Sequence, residues 1–148
     1  AGCFRNSDGD FASGNAIINT YNFTTESDVP PLGGSYEGGY LICCSGGNLW
    51  VLAPGSTEVS RYWTCRSHAV TTANANAGCG DWFVPTVSQL QNPGYVCRTY
   101  WESYSNTQYW SNTENNPVHA CFMFQGSAYG GGHKLNTYCV RAFRCVSY

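Results

Sequence analysis

Charged side chains are scarce in this chain of 148 residues: Asp, Glu, Lys and Arg make up 11% of it, against a usual share of about 25%. Its seven basic residues form no block, and the formal net charge is −2. Recognition of nucleic acid or of an anionic membrane surface requires clustered Lys and Arg to neutralise phosphates. We therefore predict that neither nucleic acid nor a membrane is a partner, and that neutral hydrogen-bonding side chains hydrate the surface.

Long apolar runs are also absent. The longest, such as those at 40–44 and 49–53, are far shorter than the roughly 20 residues of a membrane-spanning helix. The chain starts at Ala1 and shows no basic segment followed by an apolar one, which is the pattern of a secretory signal peptide. We expect that processing has removed such a signal, or that the protein leaves its cell in a particle released by lysis.

Closely spaced metal ligands are missing as well. The sequence has no Cys-x-x-Cys and no His-x-x-x-His, the ligand pairs from which zinc sites are usually built. The nine acidic residues are scattered, and no carboxylate pair or catalytic triad stands out. We predict that the protein is not an enzyme and has neither catalytic residues nor metal ligands.

Cysteine, in contrast, is abundant for a chain of this length. Such a content favours disulfides and an oxidising destination, and the alternative is that free cysteines serve as small buried apolar residues. The odd count requires at least one free or intermolecular thiol, and the pairing does not follow from the sequence. Of the nine cysteines, the disulfide candidates are Cys65, Cys79, Cys97, Cys121, Cys139 and Cys145.

The Pro30-Pro31 pair divides the chain, because proline forces an extended backbone before it and removes amide donors. We predict an N-terminal arm or assembly segment at 1–32 and a compact domain at 33–148. The arm has too few apolar residues to fold by itself, so it would pack on the domain or on a neighbouring subunit.

Short β-rich runs alternate with Gly and Asn turns within the domain. Runs at 40–44 and 48–53 flank Ser45-Gly46-Gly47, and glycine supplies the positive φ that a tight hairpin turn needs. Cys43 and Cys44 are adjacent on the first of these strands, so their sulfurs should point to opposite faces.

Two segments have helical patterns. Residues 60–77 include an Ala-rich stretch with Ser67 as a candidate N-cap, and residues 86–91 follow Pro85, with Thr86 or the proline at the helix start. Two short helices in a loop-rich, mainly antiparallel β framework predict an α+β domain.

Three segments of the C-terminal half carry a family resemblance. They are Gly80-Asp81-Trp82-Phe83-Val84-Pro85-Thr86, Tyr109-Trp110-Ser111-Asn112-Thr113-Glu114 and Val140-Arg141-Ala142-Phe143-Arg144-Cys145-Val146. In this order they resemble the C-terminal domain of Legionella collagen-like protein, a family related to the C-type-lectin-like and formylglycine-generating-enzyme folds. The resemblance implies a C-type-lectin-like fold with Tyr109 and Trp110 in the core. Where the family has Arg-Leu-Pro-Thr, this chain has Phe83-Val84-Pro85-Thr86, so that arginine is absent.

Aromatic residues crowd into 95–110, beside neutral donors and acceptors. Rigid aromatic faces surrounded by such groups suit stacking on sugars and also suit protein interfaces. We predict that Tyr100, Trp101 and Tyr104 form an exposed ligand-binding patch.

A neighbouring loop completes the predicted binding site with Asn112, Glu114, Asn115 and Asn116. Its oxygen atoms would suit Ca²⁺, as in C-type lectins, but the loop lacks the Glu-Pro-Asn and Trp-Asn-Asp signatures of that family. We predict no resident cofactor and keep Ca²⁺ as the alternative.

These features together predict a non-enzymatic attachment or assembly module at a virion surface or in the extracellular space. In a phage fibre, tail or capsid decoration it would bind a host glycan or receptor, with other virion subunits and further copies of itself as partners. One alternative is a secreted bacterial adhesin domain. The other is a copper oxidase of the formylglycine-generating type that uses Cys139 and Cys145, although six residues of straight strand would separate the two by about 20 Å.

Overall fold

The computed structural model describes residues 29–77 and 81–147. Over these ranges the protein is a mainly antiparallel β structure with short helices, which confirms the α+β class. The strands are β1 (Ser35–Tyr36), β2 (Gly39–Ser45), β3 (Asn48–Leu52), β4 (Val59–Arg61), β5 (Tyr109–Glu114), β6 (His119–Phe124), β7 (Ser127–His133), β8 (Tyr138–Val140) and β9 (Phe143–Ser147). The helices are α1 (Ser67–Ala77) and α2 (Val87–Gln89), with 3-10 turns at Gly55–Thr57, Trp63–Cys65 and Arg98–Tyr100.

The described strands form two sheets. One has the order β1-β2-β3-β9 and the other the order β4-β8-β5-β6-β7, and the pairings are antiparallel except for that of β5 with β8. A backbone bridge between Phe83 and Phe143 ties the segment before α2 to β9. Since β8 and β9 belong to different sheets, the chain passes from one sheet to the other at Arg141 and Ala142.

The predicted hairpin is confirmed. Strands β2 and β3 pair up to Ser45 and Asn48, and the two turn residues, Gly46 and Gly47, have φ angles of 57° and 83°. A side chain at either position would make this left-handed backbone unfavourable, so the glycines determine the turn.

A β-bulge in β2 distributes its side chains between two parts of the core. The register with β3 shifts between Leu41 and Cys43, and as a result Ile42 and Cys43 pack in one cluster while Leu41 and Cys44 pack in another. The prediction that the two adjacent cysteines point to opposite faces is thus confirmed.

The first helix is shorter than the predicted range 60–77. Residues 59–61 form β4 and pair with β8, a 3-10 turn follows, and α1 begins only at Ser67. Backbone hydrogen bonds to another strand therefore outweigh the local helical pattern at the start of this range.

The second helix begins where the sequence predicts. The Thr86 hydroxyl accepts a hydrogen bond from the Gln89 amide (3.2 Å), and the Gln89 side chain accepts one from the Thr86 amide (2.9 Å). This capping box satisfies two amides that a helix start leaves without intrahelical partners. A less regular helical segment, Leu90–Tyr95, continues from α2.

Aromatic and aliphatic side chains fill the core. Tyr109 and Trp110 are both fully buried, as the sequence predicts. The largest described cluster contains Ile42, Leu52, Leu90, Trp101, Tyr109, Met123 and Phe143.

The described chain begins with residues that pack on β2 and β3. Val29 is buried in a cluster with Leu41 and Leu49, and the Gly33 amide donates to the Leu41 carbonyl (2.6 Å). Residues 1–28, most of the predicted arm at 1–32, lie outside the described ranges, and the boundary between arm and domain stays a prediction.

The structure shows no disulfide at the five candidates that lie within the described residues. In β9, Cys145 lies opposite Trp50, and in β8, Cys139 lies opposite Ser60, so the strand register brings no sulfur to either. These two cysteines also lie in different sheets, whereas the sequence suggested one closing strand. The free thiols among the candidates are Cys65, Cys97, Cys121, Cys139 and Cys145, and Cys79 lies outside the described residues.

A buried ionic network lies at the crossing between the sheets. The fully buried Arg141 donates from Nε to the Ala53 carbonyl (2.8 Å) and from Nη1 to Glu58 Oε1 (3.0 Å). Tyr109 donates its hydroxyl proton to the same Glu58 oxygen (2.9 Å). Burial raises the pKa of Tyr109, and the negative charge of Glu58 raises it further. The same two causes raise the pKa of Cys139 to about 12. Both groups therefore stay protonated at neutral pH.

Candidate ligand-binding site

An open cavity of about 460 Å³ lies where the start of α1 meets the segment before α2 and the middle of β5. Its volume falls within the range of roughly 300–1,000 Å³ that is typical of small-molecule sites. Hydroxyls, one amide and one guanidinium line it together with three apolar side chains. The lining residues are Thr64, Arg66, Ser67, Val70, Thr71, Phe83, Val84 and Asn112.

Arg66 is held in place by contacts on two sides. Its guanidinium carbon lies 3.6 Å from the centroid of the Trp63 ring, within the range of a cation–π contact. Nε donates to Asn112 Oδ1 (2.8 Å), and Nη1 donates to the Trp63 carbonyl (2.9 Å). These bonds use only part of the five N–H groups of arginine. Among the described residues none accepts a hydrogen bond from Nη2.

Burial affects the electrostatics of this guanidinium. It lowers the pKa of Arg66 from its ordinary value, and the nearby negative charge of Glu114, which raises the pKa, offsets only part of this effect. The cation is thus less well solvated than an arginine on an open surface.

Trp63 is the rigid support beneath the site. It is buried, and its Nε1 donates to the Ser111 carbonyl (2.8 Å), which fixes the ring against β5. Lys134 Nζ also lies over this ring, 4.5 Å from the centroid, and forms an ion pair with Glu114. The Glu114 carboxylate, a predicted ligand-binding group, is therefore already paired.

The apolar wall of the cavity is anchored through the backbone. The Phe83 amide donates to the Phe143 carbonyl and the Phe143 amide donates to the Phe83 carbonyl, each at 2.9 Å. Two residues further on, the Pro85 carbonyl accepts from the Asn112 amide (2.8 Å), which holds the polar rim against this wall. The wall and the rim are thus parts of one hydrogen-bonded framework.

The predicted loop ligands separate into different environments. Asn112 lines the cavity, whereas Asn115 donates to the Gly130 carbonyl (2.8 Å) and Asn116 Oδ1 accepts from the amides of Val118 and His119 (2.9 and 2.7 Å). The oxygen of Asn116 is thus used to cap a turn. Over the ranges 29–77 and 81–147, no group of three or more His, Cys, Asp or Glu side chains is placed to hold a metal ion.

The three residues of the predicted aromatic patch differ in their exposure. Trp101 is buried in the largest core cluster, its Nε1 donates to the Gly94 carbonyl (3.0 Å), and its ring contacts Tyr104 and Tyr109 edge to face. Tyr104 is half-buried, burial raises its pKa, and its hydroxyl has no hydrogen-bond partner among the described residues. The prediction of an exposed patch is wrong for Trp101, since these rings pack on one another, and only Tyr100 is exposed.

The sequence did not predict most of the residues that line the cavity. Trp63 and Arg66 are three residues apart, a spacing that brings side chains together on a helical turn, and this was the available signal for the cation–π pair. Nothing local to the sequence places Phe83 or Asn112 beside them, because these contacts join segments far apart in the chain.

No protein-family model matches the chain, and a search of curated proteins finds no significant relative. None of the described helices combines the length and the apolar character needed to cross a membrane.

Proposed function

We propose that the protein is a non-catalytic attachment module that binds a surface glycan in the cavity around Arg66. The observation that carries this proposal is the lining of the cavity. Hydroxyl and amide groups can exchange hydrogen bonds with sugar hydroxyls, and the Phe83 side of the cavity offers an apolar surface for a sugar ring.

The proposal extends to the fold and to where the domain is displayed. We propose that the two sheets and short helices form a C-type-lectin-like domain displayed on a virion or on a cell surface, with the glycan or a glycosylated receptor as its partner. The low charge of the chain supports such a role, because a surface with few charges offers mainly neutral donors and acceptors to the hydroxyls of a sugar.

A pair of substitutions on α1 tests the site. Thr71 is exposed and lines the cavity, so Thr71→Trp should fill it and abolish glycan binding. Asn76 is exposed on the same helix and does not line the cavity, so Asn76→Trp is the matched control. Both variants and the unchanged protein would be compared on a glycan array and by binding to host cells.

We expect binding by the unchanged protein and by Asn76→Trp, and its loss in Thr71→Trp with an unaltered melting temperature. Full binding by Thr71→Trp would show that the ligand lies elsewhere. Absence of any glycan binding by the unchanged protein would refute the proposed function.

A further inference from the structure

The described cavity lining carries positive charge and no negative charge. Arg66 is its charged side chain, and among the described residues that line it none carries a carboxylate. Glu114 is close enough to influence Arg66, but it forms an ion pair with Lys134, and its side chain is 54% exposed. The described cavity residues therefore present a partly desolvated positive charge, and no negatively charged side chain among them neutralises it.

The geometry of Arg66 leaves its outer edge available. Nε donates its proton to Asn112 Oδ1, and Nη1 donates one of its protons to the Trp63 carbonyl. The guanidinium group also packs on the Trp63 ring. No described acceptor uses the Nη2 protons. A guanidinium fixed in this way is well suited to a planar carboxylate, which can accept two parallel hydrogen bonds.

We infer that the glycan bound in this cavity carries a carboxylate, as in a hexuronic acid, and that Arg66 recognises it. This inference rests on the proposed function and specifies the sugar class. The hydroxyls of Thr64, Ser67 and Thr71 would bind the neutral part of the sugar. Hydrogen bonds to a charged group contribute about 1.5–3 kcal/mol, so the acid should bind about 10- to 150-fold more tightly than the corresponding neutral sugar.

Matched sugars provide the test. The full chain would be titrated with the methyl glycosides of glucuronic and galacturonic acid and with those of glucose and galactose, and binding would be followed by backbone amide NMR shifts. We expect the acids to bind more tightly, with the largest shifts at Arg66, Ser67 and Asn112. One molar salt should reduce the advantage of the acids, because it screens a charge pair at an open cavity.

Two charge-removing variants locate the effect. Arg66→Met should remove the preference for the acid and leave weak binding of the neutral sugars. Arg61 is exposed, donates to His68 Nδ1 (2.9 Å) and does not line the cavity, so Arg61→Met changes the net charge equally and should keep the preference. The comparison of sugars and the salt titration use the unchanged protein, so they remain decisive if Arg66→Met folds poorly.

The outcomes separate the two proposals. Equal binding of acidic and neutral sugars in the cavity would overturn the inference about the carboxylate and leave the proposed glycan site intact. Equal loss of preference in both arginine variants would also overturn it, since the effect would then be one of net charge. No binding of any of the four sugars and no shifts at the cavity would count against both.

Discussion

Removal of the buried Arg141 should destabilise the protein far more than removal of the neighbouring Arg144. Arg141 is 1% exposed and pairs with Glu58, whose side chain is only 16% exposed. It also donates to the carbonyls of Ala53, Glu102 and Ser103. In Arg141→Met these acceptors and the Glu58 carboxylate would lose their donor while the volume of the side chain is largely kept.

The magnitude follows from the burial of the pair. Removal of one partner from a buried ion pair costs about 3–5 kcal/mol, because the other charge stays desolvated without compensation. A native domain has a free energy of unfolding of about 5–15 kcal/mol, so this loss would be a large part of the total.

Arg144 is the internal control. It bonds to Asp81 Oδ1 (2.6 Å) and Glu37 Oε1 (2.9 Å), but the side chains of these partners are 57% and 42% exposed. Water can solvate both carboxylates after Arg144→Met, and pairs of this kind contribute about 0–1 kcal/mol.

Urea denaturation followed by tryptophan fluorescence would measure both variants. We expect the midpoint to fall strongly for Arg141→Met and slightly for Arg144→Met, with unchanged m-values. Losses of equal size, or a loss below about 1 kcal/mol for Arg141→Met, would refute the reasoning from buried charge.

Three further changes test other parts of the fold. An added Cβ at Gly39 would lie 2.2 Å from a backbone oxygen of β3, so Gly39→Ala should lower the free energy of unfolding by about 1–3 kcal/mol. An added Cβ at Gly131 meets nothing within 4 Å, so Gly131→Ala should change it by less than about 0.5 kcal/mol. Loss of the capping box in Thr86→Ala should lower the free energy of unfolding by about 1 kcal/mol in the same urea assay. Burial raises the pKa values of Cys97 and Cys139 from 9.0 to about 12, so their contribution to stability is complete below pH 9 and should decline as the pH rises towards 12.

Each of these has a distinct contrary result. Equal losses of stability in the two glycine variants would show that the close approach between β2 and β3 does not exclude a side chain at Gly39. A neutral Thr86→Ala would mean that packing alone holds the start of α2. For the thiols, the urea midpoints of the unchanged protein and of the Cys97→Ala/Cys139→Ala double variant would be measured between pH 8 and 11. If both midpoints depend on pH in the same way, the two thiols do not cause the loss of stability.

The sequence was most informative where a structure depends on neighbouring residues. The β2–β3 hairpin follows from the positive φ of Gly46 and Gly47, and the start of α2 follows from the Thr86 cap. The burial of Tyr109 and Trp110 was implied by a resemblance that involves the order of several segments.

Local patterns failed where distant segments compete for the same residues. The start of the range 60–77 has a helical pattern, yet β8 recruits residues 59–61 as a strand. Trp101 belongs to a polar, aromatic stretch that suits an exposed surface, yet neighbouring rings enclose it in the core. Composition favoured disulfides, but the register of β8 and β9 leaves Cys139 and Cys145 as free thiols.

By itself, then, the sequence determined the α+β class, the hairpin and the cap of α2, because these depend on φ preferences and on hydrogen bonds within a few residues. Only the tertiary structure decided which polar residues meet in one cavity. Arg66 and Asn112 form a hydrogen bond although they are 46 positions apart in the sequence. Such a contact depends on how helix α1 and strand β5 pack against each other. No short-range pattern in the sequence specifies that packing.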